Sequence, residues 1–194
     1  MSGGLKLRFI IKIKGEIKMK KNMDIKKMTI NAILIAVAAM LHQITPAIGL
    51  PMQPDLALVM LFIIIILNDD YKTTIISGII IGIFTSLTTK FPGGQLPNII
   101  DKVITCNIIY FALLPVRNKL KDITKLAICL PIGTVISGLV FLLSAQIIAG
   151  LPGEFMVLVK VVVIPAAIMN TGIGIILFKA INVALKATKT RIRT

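Results

Sequence analysis

A bundle of six membrane-spanning helices is the fold this sequence predicts, and three observations carry the expectation. The 194 residues are 56% hydrophobic with a mean hydropathy of +0.94, far above the composition of a water-soluble domain. Only 15% of residues are charged, and nearly all of these lie between apolar stretches long enough to cross a ~30 Å hydrocarbon layer as helices. The basic residues, finally, gather on alternate connections, as expected of a chain threaded repeatedly through a membrane.

Residues 1–28 form a basic amino-terminal arm. It carries nine Lys/Arg and no apolar run long enough for a signal sequence, so we read it as a cytoplasmic segment at the membrane surface. Met19, Met23 and Met28 are all plausible starts of translation. Six apolar segments follow: Thr29 to Leu50, Leu56 to Leu67, Thr73 to Thr88, Pro97 to Val116, Leu126 to Ile148, and Phe155 to Phe178. The second is short for a full crossing unless it starts near Met52, which draws Asp55 into the membrane. Residues 29–179 thus make one all-α membrane domain, and residues 180–194 a basic cytoplasmic tail.

The net charge of +14 would suggest nucleic acid in a soluble domain, but the positions of the charges argue otherwise. Of 22 Lys/Arg, nine precede Thr29, one is Lys72, four lie between Arg117 and Lys125, and five follow Phe178. All these fall on one side of a six-span protein, whereas the opposite connections hold only Lys90. Both termini are therefore expected in the cytoplasm, with lipid rather than nucleic acid as the surrounding partner. The opposite connections, TPAIGLPMQPD, TTKFPGGQLPN and AGLPGE, are short and rich in Pro and Gly. Gly78, Gly82, Gly133, Gly138, Gly172 and Gly174 fall inside spans, where small residues allow close helix contact.

Ionisable groups inside a bilayer cost roughly 2.5–3.5 kcal/mol each on insertion scales, so each asks for a partner or a wet cavity. Here they are few: His42 ends the first span, Asp55 begins the second, Asp101 and Lys102 lie early in the fourth, and Lys160 early in the last. All five fall in the outward half of the membrane, which suggests an outward-facing polar cavity. Asn98, Asp101 and Lys102 share a helix face, with Thr105 and Cys106 one turn deeper. Two readings fit Asp101 and Lys160: a buried ion pair locking two helices, or a carboxylate and an ammonium that together hold a zwitterion while Asn98 and Asn170 supply hydrogen bonds. Lys102 can alternatively reach toward the headgroups, His42 can serve as a hydrogen-bonded histidine between helices, and Asp55 as a helix N-cap. Gln95, in the connection FPGGQLP, completes the candidate binding set. Phe62, Phe84, Phe91, Phe141 and Phe155 can stack on a ligand or simply face lipid and core. Pro165 should kink the last span or free backbone carbonyls.

Catalysis finds little support. Ser77 and Ser137 each precede Gly without a G-x-S-x-G context, and His42 is the single imidazole. No Cys/His grouping has metal spacing, and Cys106 and Cys129 read as buried thiols. Neither enzyme activity nor a cofactor is expected; moving a small molecule is the favoured reading, ahead of a structural subunit or a channel.

Two phrases, AAMLHQITPAIGLPMQPDLALVMLF (Ala38 to Phe62) and LTTKFPGGQLPNIIDK (Leu87 to Lys102), carry a resemblance to the tryptophan transporter family, itself similar to the substrate-binding (S) components of energy-coupling factor (ECF) vitamin transporters. The resemblance covers roughly Thr29 to Lys179. It implies a six-helix bundle like an S component, in a prokaryotic plasma membrane, that takes up tryptophan from an outward-facing site. Ala32 and Ala36 then match the small-residue stripe by which such proteins meet a transmembrane coupling subunit and its two ATPases; the chain itself carries no Walker A motif. The alternatives are a solitary secondary amino-acid carrier, or an S component for a vitamin or related aromatic compound.

Overall fold

The computed structural model describes residues 25–46 and 53–188. Two compact units divide the chain, Met1–Ile33 and Leu34–Thr194. In the first, the described residues 25–33 are helical; the second holds the rest. The expected arm up to residue 24, the end of the first apolar segment with Met52, and the last six residues of the tail lie outside the described residues.

Among the described residues, six helices stand where six apolar segments were expected: α1 (Ile25–Ile44), α2 (Leu56–Leu67), α3 (Tyr71–Leu87), α4 (Gln95–Leu113, extended by a 3₁₀ turn, Leu114–Val116), α5 (Asp122–Ile148) and α6 (Phe155–Ala187). Among the described residues there is no strand. Four helices, α1, α4 with its extension, α5 and α6, are long and apolar enough to cross a bilayer unaided; α2 and α3 are shorter. At 12 residues, α2 rises only roughly 18 Å.

Helix α2 is buried along its entire length, and its sequence, LALVMLFIIIIL, is apolar on every face, as suits a helix at the centre of a bundle. α3, α4, α5 and α6 all pack against it. A helix leaves unpaired N–H and C=O groups at its two ends, and here side chains satisfy some of them. The Asp55 carboxylate accepts from the Leu58 N–H at 2.9 Å, and Asn68, fully buried, donates from both its backbone and its side chain to Ile64 O.

Around this centre, α3 packs on α4, α4 on α5, and α5 on α6. Gly78 and Gly82, one turn apart on α3, set the closest approach. A Cβ at Gly78 would lie 2.5 Å from Cys106 Sγ, and one at Gly82 would lie 3.2 Å from Ile99 Cα, so the α3–α4 crossing depends on their missing side chains. Gly133 and Gly174 similarly admit Phe62 and Leu130, whereas Gly172, also expected at a helix contact, faces open space.

In α6 the hydrogen-bond ladder widens to a π segment, Val159–Val163, immediately before Pro165. Proline has no N–H to offer the preceding turn and its ring crowds the carbonyl there; the wider turn absorbs both effects. The disturbance expected at Pro165 therefore takes the form of a π segment.

Arg117 ties together the end of the bundle where α2 and α4 finish and α3 and α5 begin. Its Nη1 donates to Asn68 O at 3.2 Å and Asp69 Oδ1 at 3.1 Å, and its guanidinium stacks over Tyr110, 4.7 Å from the ring centre. Lys125 donates to Arg117 O and Asp122. The opposite end is built for something else.

Candidate functional site

Where α2, α4 and α6 begin and α3 and α5 end, the helices surround a cavity of about 70 Å³. Its wall includes His42, Asp55, Asn98, Asp101, Lys102 and Asn170, six of the eight binding residues expected from sequence. Gln95 and Lys160 are the exceptions. Both are exposed and neither lines the cavity: Gln95 opens the first turn of α4 on its outward side, and Lys160 sits within the π segment pointing away from Val162 and Val163, which do face inward. Of the two readings of Asp101 and Lys160, the ion pair between them is accordingly not formed.

Lys102 takes that role. Only 1% exposed, its ammonium lies 2.6 Å from Asp55 Oδ2 and also binds Asp101 Oδ2. Neither carboxylate relies on Lys102 alone. Asp55 caps α2 with its other oxygen, so the N-cap reading and the ion-pair reading hold together. Asp101 accepts from Thr105 Oγ1 at 2.9 Å, and Ser137, on α5, lines the same cavity. One ammonium between two carboxylates leaves a formal charge of −1, stabilised by the hydrogen bonds that a buried charge requires.

Nearer the mouth, Thr88 gives its hydroxyl proton to Phe84 O at 2.7 Å, so it accepts from His42 Nδ1, also at 2.7 Å. The other ring nitrogen, Nε2, then accepts from Gln53 Nε2 at 3.1 Å. This chain of donors fixes a neutral imidazole protonated on Nδ1. The same Gln53 amide donates to His42 O, which leaves Gln53 Oε1 buried with no hydrogen-bond partner. Lys90, on the α3–α4 connection, donates to Thr45 O at 2.7 Å, and no carboxylate accepts from it among the described residues.

Deeper in, Asn170 on α6 is fully buried. Its Nδ2 donates to Thr134 Oγ1 at 3.3 Å, and its Oδ1 has no partner. Asn98 spends its amide on its own helix, donating to Gly94 O at 2.8 Å. Leu58, Phe91, Phe141, Val162, Val163 and Ala166 form the apolar part of the wall. Phe91 and Phe141 meet edge to face with ring centres 5.3 Å apart, whereas Phe62 is buried in the bundle centre and Phe84 is exposed.

Gln53, Thr89, Lys90, Thr134 and Ser137 also line the cavity, and sequence reasoning did not single them out for binding. Gln53 is two residues before Asp55, and Lys90 was visible as the one basic residue on the connections expected to face the exterior. Among the described residues no group of His, Cys, Asp and Glu is placed to hold a metal ion. The arrangement can bind a small molecule that is charged at one end and apolar at the other, because it combines fixed charges, two free carbonyl acceptors and an aromatic wall.

Comparison with known proteins agrees with this chemistry. A family model described as "Tryptophan transporter TrpP" matches residues 24–186. The chain is 50% identical over 170 residues to a probable tryptophan transport protein of Clostridium perfringens, covering 83% of this chain and 93% of the relative. Proteins of the same description in Clostridium acetobutylicum and Bacillus subtilis are 48% and 40% identical over 164 residues, each covering 84% of this chain and 96% and 95% of the relative. No solved structure matches the chain.

Proposed function

The chain belongs to the tryptophan transporter family, and on that premise we propose that it takes up tryptophan across a prokaryotic plasma membrane through the cavity bordered by Asp55, Lys102 and Asp101. The observation that carries this reading is the pairing of a fixed-charge cluster with an aromatic wall in one buried space. A zwitterionic head matches the charges and an indole matches Phe91, Phe141 and the valines. The positive-inside distribution of basic residues supports a mouth facing the exterior and cytoplasmic termini, with residues 1–28 and 180–194 as basic flanks of the 29–179 transport domain.

At about 70 Å³ the cavity is smaller than the ~300 Å³ or more of ordinary ligand pockets. Loading therefore requires the walls to part. Phe91 lies on a connection rather than in a helix, so it can withdraw from Phe141 without breaking a helical ladder.

We read the protein as an S-component-like subunit that docks to an ECF coupling subunit with two ATPases. Ala32 and Ala36, both exposed, supply the stripe for that contact. A second reading, a solitary carrier driven by an ion gradient, draws on the residual negative charge of the Asp55–Lys102–Asp101 cluster, which attracts a cation. Uptake of labelled tryptophan into liposomes holding the purified chain separates them: uptake on an ion gradient without ATP favours the carrier, while uptake that needs co-purified ATPases, and is lost in Ala32→Trp and Ala36→Trp, favours the S component. Binding of thiamin or biotin in preference to tryptophan would refute the substrate assignment.

A further inference from the structure

The polar groups on the cavity wall follow an order. At the mouth is Lys90, exposed and, among the described residues, held only by a backbone carbonyl. Next comes the Asp55–Lys102–Asp101 cluster with its surplus negative charge, beside the unpartnered Gln53 Oε1. Deepest is Asn170: its partner Thr134 lies one turn of α5 further from the mouth than Ser137, which also lines the cavity. From mouth to floor the wall thus offers a cation, an anionic cluster and a neutral carbonyl acceptor.

Tryptophan carries the complementary series: a carboxylate, an ammonium beside it, and one N–H donor at the far end of an otherwise apolar ring. Resting on the proposed tryptophan function, we infer that the amino acid enters indole first and donates its ring N–H to Asn170 Oδ1 while Lys90 holds its carboxylate at the mouth. Two features single out Asn170. Its Oδ1 is the unpartnered acceptor farthest from the mouth, and a buried carbonyl left without a donor is costly, so a ligand that supplies one gains selectively over a ligand that does not. Around it the wall is apolar, with Val162, Val163 and Ala166 on the same helix and Gly138 opposite; a Cβ at Gly138 would fall 2.6 Å from Val163 Cγ1, so this glycine lets the two helices meet closely at the edge of that apolar wall. Asn170 is then the residue that distinguishes indole from phenyl, and Lys90 the one that distinguishes an amino acid from an amine.

Binding to the purified full chain tests this with three probes: L-tryptophan, 3-benzothienyl-L-alanine, in which sulfur replaces the N–H, and tryptamine, which lacks the carboxylate. Wild type should prefer tryptophan to each analogue by roughly tenfold or more. Asn170→Leu should bring the benzothienyl analogue to within about twofold of tryptophan while keeping the bias against tryptamine, and Lys90→Met should do the reverse. The wild-type comparison needs no variant and stands even where Asn170→Leu fails to fold: equal binding of tryptophan and the benzothienyl analogue overturns the assignment. So does an Asn170→Leu protein that keeps the wild-type preference, or a pair of variants whose effects are exchanged. Should wild type bind none of the three, the tryptophan reading itself falls, a result distinct from tryptophan binding without N–H discrimination.

Discussion

Lys102 Nζ lies 2.6 Å from Asp55 Oδ2, and this contact joins the N-cap of the fully buried α2 to α4. A twelve-residue helix too short to cross the bilayer alone is thereby anchored by an ion pair at the level where its backbone N–H groups would otherwise go unsatisfied.

Removing the ammonium should be far worse than removing one carboxylate. Lys102→Met leaves Asp55 and Asp101 facing each other without a counter-ion and should cost about 3–5 kcal/mol, whereas Asp55→Asn keeps the Lys102–Asp101 pair and a competent N-cap and should cost about 1–2 kcal/mol. Thermal unfolding in detergent gives the order; an equal loss in the two variants would contradict it.

The α3–α4 crossing should be intolerant of even one added methyl. Gly78→Ala places a carbon against Cys106 Sγ, a 2.5 Å approach, and should lower stability by about 1–3 kcal/mol. Cys106→Ala, neutral or mildly destabilising alone, should restore part of the loss in the double variant, and additive effects in this cycle would show that the two do not touch.

Gln95→Ala and Lys160→Met, at exposed positions outside the cavity, should each change tryptophan binding by less than about twofold, within the spread of surface substitutions. A tenfold loss in either would extend the site beyond the cavity described.

Orientation is open to chemical labelling. A cysteine at Gly153, which has no neighbouring atom within 4 Å, should react with a membrane-impermeant maleimide on intact cells, and one at the exposed Lys119 only after the membrane is opened; native Cys106 and Cys129 are buried and should stay silent. The opposite pattern would invert the cavity.

Much of this was legible in the sequence, and for identifiable reasons. Long apolar runs and the alternation of basic connections sufficed for six helices, because hydrophobic matching to a bilayer is nearly one-dimensional information. The rarity of charges inside those runs pointed to Asp55, Asp101 and Lys102, since each needs a partner. Partner choice was another matter. Lys160 has the same chemistry and a similar apparent depth as Lys102, and only the rotation of α6, altered by the π segment before Pro165, turns it outward; periodicity at a fixed 3.6 residues per turn cannot register that change. Gln53, Thr134 and Ser137 are uncharged and common in loops and helices alike, so their convergence on one cavity is visible only in three dimensions.

The chain contains no tryptophan of its own, so the indole fluorescence of added L-tryptophan reports solely on the ligand. Titrating purified protein into a fixed tryptophan solution should move the emission to shorter wavelength as the ring leaves water for the wall of Phe141, Val162 and Val163, and Ala166→Leu, which fills that space, should weaken the shift severalfold. Emission that stays at the position of free tryptophan at every protein concentration, or a shift untouched by Ala166→Leu, would contradict the assignment of this cavity as the tryptophan site.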